Sequence, residues 1–550
     1  MLFIALLGLL PYLASAAVVD KRANPNAGST TVNVYPPSKT TVNTAVFPAE
    51  SDVGYEGITI TAVEPAAIQT AKAYAYNSED TSIFPLVVDQ PEDSNGQGNF
   101  EINKYWGNLS PWYSVPSSFY GLNETSPNAP DGCSVTQVHL LYRHGARYPT
   151  SGAAPSTFAA KVANATKQEG GFNSWGELDF LNSWEYKLGA ELLTVSGRLQ
   201  NFALGASFRQ QYGYLLNNFT EQGTLPVFRT ESQDRMVKTA TNFAAGMFGV
   251  PEFLSQVNIE IMIETPGVNN TGAPYETCTN SNVPSRGSIG STAANAFAIN
   301  AFNGTIERLQ GQIQGVNFTS TDIIAMLQLC SYETDALGYS AFCKLFTQED
   351  FENYEYYYDI SFYYNNGAGS PVAAAQGKGF LSEFVSRFTQ TPMPKADSSV
   401  NSTLDNNPVY FPLNQSIYAD ATHEVILLDT FTALNLSALF SSGPLPTDKK
   451  TESSFKASQV VPFATHLTIQ VLECSNTSPS KQIRFILNDA VLPIDQSYPG
   501  CQWNKDGLCS FDTVVSALQK RLEEIDWNHD CYGNYTAQPG QDYNGRAPRN

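Results

Sequence analysis

The run Ser134-Val135-Thr136-Gln137-Val138-His139-Leu140-Leu141-Tyr142 is β-branched and apolar, which predicts a buried strand. Downstream the period changes. Val195, Leu199, Phe202, Ala203 and Ala206 recur at helical spacing behind Thr194, a residue able to cap the first turn. The stretch from Leu225 to Arg229 reads as a second short strand. Ser232 then reads as the N-cap of a helix with Met236, Val237, Ala240, Phe243, Ala244 and Met247 on one side. Residues 251 to about 404 mix helical patterns with Asn- and Gly-rich loops. Strand character returns at Val409 to Tyr418, Thr465 to Leu472 and Gln482 to Leu487. This alternation predicts an α/β sheet domain interrupted by an inserted α-helical cap.

The first strand predicts its own functional end. Arg143-His144-Gly145-Ala146-Arg147-Tyr148-Pro149 follows it directly, and ligands collect at the C-terminal ends of strands in open α/β sheets. Two guanidinium groups four residues apart suit a bound phosphate, because the planar fork of Arg matches paired oxygens and stays charged. A neutral His144 between them can attack phosphorus as a nucleophile. Arg235 falls in the first turn of the helix after Ser232, where free N–H groups and the dipole favour an anion. His423-Glu424 precedes the apolar run from Val425 to Leu428 and offers a second imidazole beside a carboxyl.

Composition narrows the setting. The chain has 550 residues, 42% of them hydrophobic, and its formal net charge of −21 argues against nucleic-acid or anionic-membrane partners. Leu2 to Leu13, followed by Ala14-Ser15-Ala16, reads as a signal peptide over residues 1–16, too short to span a bilayer. Lys21-Arg22 is a dibasic processing candidate. Residues 17–98 read as a propeptide or N-terminal extension rich in Pro, Ser, Thr and Asn. Asn-x-Ser/Thr tripeptides recur, among them Asn108, Asn123, Asn164, Asn218, Asn303, Asn317, Asn401, Asn435 and Asn534, and their density predicts a glycosylated surface. The eight Cys are an even set with no Cys-x-x-Cys, which favours disulfides; about 105 pairings are open. Together these features predict a secreted, extracellular protein, with association with a cell wall left open.

Arg-His-Gly-x-Arg-x-Pro is the signature of the histidine acid phosphatases, and the chain resembles their fungal phytase and acid-phosphatase members from about Asn99 onward. The resemblance implies a phosphoglycerate-mutase-like sheet domain, with core segments 99–155, 190–250 and 405–550 and cap segments 156–189 and 251–404. It implies His144 as the nucleophile that becomes phosphohistidine, and Arg143, Arg147, Arg235 and His423 as phosphate ligands. Arg235 is preferred to Arg229 because Ser232-Gln233-Asp234-Arg235 matches the family's Ser-x-x-Arg turn. Relatives carry His-Asp where this chain has His423-Glu424, so Glu424 takes the proton-donor role with one methylene more. It also implies the pairs Cys133–Cys474, Cys278–Cys531, Cys330–Cys343 and Cys501–Cys509, with neither metal nor cofactor.

His139, His466 and His529 lack metal-ligand spacing and read as packing or surface residues. Gly367-Ala368-Gly369 and Gly377-Lys378-Gly379 read as loop structure, not phosphate cradles. Between the motif and Lys161 there is no Lys, a less basic mouth than a highly charged inositol phosphate favours. The expectation is therefore a broad acid phosphatase acting on small phosphate monoesters, with phytate secondary. A dedicated phytase, a mutase-type phosphotransferase and a catalytically impaired binding protein stay open as alternatives. Oligomeric state is not legible.

Overall fold

The computed structural model describes residues 40–41, 100–123, 125–393 and 397–549. The signal peptide, the dibasic site and nearly all of the extension lie outside them. In chain order the elements that place the site are β1 (Cys133–Arg143), α1 (Val195–Tyr212), β2 (Val227–Glu231), α2 (Asp234–Phe248), β3 (Asn258–Met262), α3 (Ser320–Leu337), α4 (Gln348–Asn365), α5 (Ala373–Thr389), β4 (Ile417–Thr422), α6 (Glu424–Ala433), β5 (His466–Cys474), β6 (Lys481–Leu487), β7 (Ala490–Val491) and β8 (Cys509–Ser510). One sheet runs β8-β6-β5-β1-β4-β2-β3, with β7 on β6. The β1, β4, β2 and β3 strands are parallel, whereas β5 pairs antiparallel with β1 and β6 antiparallel with β5.

In the parallel register Arg143 lies opposite Thr422, so β1 and β4 end side by side. Each then releases a His: His144 from β1, and His423 as the residue preceding α6. The two catalytic candidates from distant parts of the sequence therefore meet because two buried strands share a register.

Several elements depart from the sequence pattern. The Val409-to-Tyr418 strand is found at Ile417–Thr422; Pro408 and Pro412 remove ladder donors from the earlier stretch. Asp420 is buried in that strand because Arg387 meets it. Helix α1 has the cap expected, Gly197 N donating to Thr194 Oγ1 at 3.0 Å, but turns the opposite face inward. Val195, Leu199 and Phe202 are 70, 51 and 39% exposed, while Gly197, Asn201, Gly205, Phe208 and Tyr212 are buried. Glycines decide this. A Cβ on Gly205 would lie 2.0 Å from Phe243 O, and one on Gly246 would lie 2.0 Å from Phe202 O, so α1 and α2 cross backbone to backbone.

Ser232 does not cap α2. Gln233 holds the N-cap position, and Ser232 Oγ accepts from Glu264 N instead. The inserted region is not wholly helical, since β3 joins the sheet edge. Gly377-Lys378-Gly379 is helix, not loop: it lies within α5, where a Cβ on Gly377 would sit 2.2 Å from Asp429 O of α6. The eight cysteines form Cys133–Cys474, Cys278–Cys531, Cys330–Cys343 and Cys501–Cys509, the pairs implied by the resemblance. Of the three remaining histidines, His139 is buried against Tyr418, His466 stacks on Trp112, and His529 meets Pro548 O.

Candidate active site

The turn after β1 is fixed from beneath by α1. Gly145 N donates to Asn201 Oδ1 at 2.9 Å, and Ala146 N donates to Gln200 Oε1 at 2.8 Å. A Cβ on Gly145 would lie 2.1 Å from Gly197 O, so no larger residue fits at the motif's glycine. The His144 ring is thus held by backbone packing and not only by its rotamer.

His144 is fully buried, and its Nδ1 lies 2.8 Å from Gly145 O. A carbonyl can only accept, so Nδ1 carries the proton and the lone pair resides on Nε2. Nε2 lies 3.3 Å from Glu424 Oε2. Burial lowers the His144 pKa well below the usual histidine value, and Arg143 and Arg147 add to that against the opposing pull of Glu424. The ring is neutral and ready to attack.

Arg143 and Arg147 lie beside it, and Arg235 lies within reach of His423. Arg143 Nη1 donates to Asn108 O and Val461 O, and its Nε donates to Glu424 Oε2 at 3.1 Å. Burial brings Arg143 down to about 10, so it remains charged at any working pH. Arg147 Nη1 donates to Tyr148 O, with Nη2 4.0 Å from Glu424. Arg235 Nη1 donates to Glu191 Oε2 at 3.1 Å, and its charge reaches His423 strongly enough to oppose protonation there. Arg143 Nη2, Arg147 Nε and Arg235 Nε are buried without a hydrogen-bond partner. Orphaned guanidinium donors are costly unless a ligand satisfies them.

Glu424 opens α6 and accepts from Asn108 Nδ2 at 3.3 Å as well as from Arg143. Burial alone would raise its pKa; the nearby Arg143, with His144 and Arg147, instead holds it well below the usual carboxylate range. His423 sits 5.6 Å from His144, ring centre to ring centre. Its Nε2 lies 2.8 Å from Glu231 Oε2 and 3.5 Å from Glu264 Oε2. Burial opposes charge on His423, but Glu231 and Glu264 outweigh it and raise the pKa to about 9. Glu231, Glu264 and His423 offer ligand atoms all within 4.8 Å of one another, the only metal-type cluster among the described residues.

The structure brings Arg143, His144, Arg147 and Glu424 together, sets His423 beside His144, and places Arg235 where its charge reaches His423. Sequence reasoning missed Asn108, Asn201, Glu231 and Glu264. Asn108 reverses a sequence expectation: it is buried and its amide binds Glu424, so it is a site residue and not a surface glycosylation position. Trp106-Gly107 beside it was the available signal, since a Cβ on Gly107, at φ +55°, would collide with the Tyr358 ring. Arg229, the alternative to Arg235, faces away into Glu383, Glu260, Asp405 and Asp420.

Comparison with known proteins identifies the family. Residues 134–488 match the model of the histidine phosphatase superfamily (branch 2). The chain is 33% identical over 445 residues to phytase A of Emericella nidulans, covering 78% of this chain and 90% of that protein. It is 31% identical over 449 residues to phytase A of Aspergillus oryzae, covering 78% and 91%. The crystal structure of a phytase from D. castellii superposes with a TM-score of 0.64 at 23% identity, covering 82% of this chain and 94% of that one. With the signature at the end of β1, a family match over more than half of the chain and relatives at this level of identity, the chain belongs to the histidine phosphatase superfamily (branch 2) and is a histidine acid phosphatase.

Proposed function

We propose that the protein hydrolyses phosphate monoesters through a phosphohistidine on His144, with Arg143, Arg147, Arg235 and His423 binding the phosphate and Glu424 as proton donor. The observation that carries this is the pairing of a neutral, lone-pair-bearing Nε2 on His144 with buried arginine N–H groups that lack partners.

In the first step the Nε2 lone pair of His144 forms a bond to phosphorus while the ester P–O bond breaks. Glu424 gives its proton to the departing oxygen. In the second step water attacks the phosphohistidine, its proton passes to the Glu424 carboxylate, and phosphate leaves with His144 restored. Arg143 and Arg147 offset the charge that builds on the phosphoryl oxygens. Glu424 rests 3.3 Å from Nε2, where the phosphorus must come, so substrate displaces it. That displacement removes the contacts with Arg143 and His144 that keep it ionised. Docking of the phosphate therefore favours the protonated acid that the leaving group needs, and the extra methylene of Glu supplies the reach.

Several relatives are named phytases, so inositol hexakisphosphate falls within the proposed substrate range. Simple monoesters are proposed as the better substrates. Lys161, the first Lys after the motif, is engaged by Asp322 at 2.7 Å and by Asn317 O, so it is not a free cation for a highly charged ring. Steady-state kinetics with phytate and an aryl phosphate test this ordering: a KM for phytate far below that for the aryl ester overturns it. Absence of turnover in the wild type, or turnover that survives in His144→Ala, overturns the mechanism itself. The division into a sheet core and helical cap, export by the N-terminal segment and extracellular action belong to the same proposal, and the four disulfides support an oxidising destination.

A further inference from the structure

The two carbonyl oxygens that hold Arg143 Nη1 come from separate segments, Asn108 O and Val461 O. One carboxyl joins those segments. Glu355, on α4 in the inserted region, accepts from Gly107 N through Oε2 at 2.8 Å and from Ser458 N through Oε1 at 2.9 Å. Gly107 adjoins Asn108, and Ser458 lies in the one-turn helix Ala457–Val460, which ends at Val461. That helix has no side-chain cap at Lys456; its first N–H groups are satisfied from α4 instead. Asp359, one turn beyond Glu355, accepts from Ala457 N at 2.6 Å. Both carboxyl groups are buried, and Tyr358 of the same helix packs on Gly107. Phe463 ties the two segments again. Its N–H donates to Ser110 O at 2.9 Å, and its ring centre lies 4.4 Å from the Arg143 guanidinium carbon.

We propose that Glu355 is a positioning residue for the reaction: its two oxygens take one N–H from each segment and so fix the carbonyl pair that orients Arg143. The same clasp sets Asn108, whose amide holds Glu424. The inference rests on the reading of Arg143 as a phosphate ligand. The arrangement does not depend on charge. Burial raises the Glu355 pKa, and each carboxyl oxygen keeps a lone pair for an N–H in either form. What matters is the number of acceptors. A glutamine at this place offers one carbonyl oxygen and one NH2 group, so one of the two N–H groups would face a donor. A buried N–H left unmet is costly, and the segment that carries it would shift to find another partner. Asp359 takes the Ala457 N–H through Oδ1, a bond that an asparagine can still accept. The two carboxyl groups of α4 are therefore unequal: the first spans two segments, the second supports one.

The test uses the full-length enzyme at one mildly acidic pH. Inorganic phosphate is titrated by calorimetry and as a competitive inhibitor of aryl phosphate hydrolysis for the wild type, Glu355→Gln and Asp359→Asn. Glu355→Gln should weaken phosphate by about tenfold or more, and Asp359→Asn by no more than about threefold. In an Arg143→Lys background, adding Glu355→Gln should change phosphate affinity by less than about threefold, because the group it orients is already gone. In an Arg235→Lys background the full loss should reappear, since that arginine lies outside the clasp. A general structural defect would act alike in both backgrounds, and that result overturns the assignment. Phosphate affinity of Glu355→Gln within about threefold of wild type overturns it too, as does an equal loss in Asp359→Asn. A wild type that binds phosphate without turning substrate over overturns the parent reading instead, and the calorimetric ratios still decide the role of Glu355. Should Glu355→Gln fail to fold, Glu355→Asp, whose carboxyl is set back by one methylene, goes through the same two backgrounds. Loss confined to the Arg235→Lys background then supports the clasp, and equal loss in both overturns it.

Discussion

Two arginine clusters stand on either side of β4 and have opposite characters. On one side Arg229 and Arg387 are buried among Glu260, Glu383, Asp405 and Asp420, with Phe411 against both guanidinium groups. On the other, Arg143, Arg147 and Arg235 are nearly as buried but keep nitrogen atoms without a partner beside a neutral imidazole. Both sets would read alike in a sequence. Unpartnered nitrogens occur in both sets, since Arg229 Nε and Arg387 Nε also lack a hydrogen-bond partner. What separates them is charge balance. Four carboxyl groups surround the two arginines of the first set, whereas among the described residues the three of the second pair with Glu424 and Glu191 alone. Burial of arginine points to an anion site where the cations outnumber the carboxyl groups the fold sets against them.

The sharpest break of this contrast is His144→Ala. Turnover should fall by at least about 10,000-fold while the protein stays folded, because the group removed is the one proposed to bond to phosphorus. Glu424→Gln should come next, slowing alkyl phosphates by about 100- to 10,000-fold and a nitrophenyl ester much less, since a good leaving group needs little protonation. Equal losses for both substrates would remove Glu424 from the proton-donor role. On the structural side, Arg229→Met should cost about 3–5 kcal/mol in denaturant melts, because it strands carboxylates in the interior. A variant that melts like wild type but loses phosphate affinity would erase the distinction between the clusters. Asn108→Leu should be milder, lowering kcat/KM by about tenfold through loss of one donor to Glu424.

The acid limb of the kcat/KM profile sharpens the same point. In the proposed mechanism His144 attacks in its neutral form, and its depressed pKa keeps that form present as pH falls. Activity should therefore hold between about pH 6.5 and 5, where an ordinary histidine would become protonated. A profile falling with a midpoint near about 6.5 would show that the ring is not desolvated as described.

Legibility followed locality. β1 and the motif beyond it were readable because the strand is continuous and apolar and its functional residues are contiguous. His423 and Glu424 were found the same way, as the residues between a strand and a helix. Arg235 required the family's turn, because its partner Glu191 lies in a separate segment. Asn108 and Glu231 reach the site through tertiary packing alone; nothing in their local spacing announces a carboxyl or imidazole partner. The inverted face of α1 has the complementary cause. Hydrophobic period pointed to Leu199 and Phe202, but close approach of Gly197 to Ala146 and of Gly205 to α2 fixed which side could face inward. The buried Asp420 likewise depends on Arg387, a residue no pattern in β4 reveals.

Asn108 has a consequence for how the molecule is made. Its Asn-Leu-Ser tripeptide is a valid acceptor while the chain is still extended, yet the finished fold encloses that amide beside Glu424. An oligosaccharide attached there early would have no room in the mature cleft and would hold the catalytic carboxyl out of place. In a host that adds such sugars, closure around this one side chain ahead of the transferase is what would keep the amide bare.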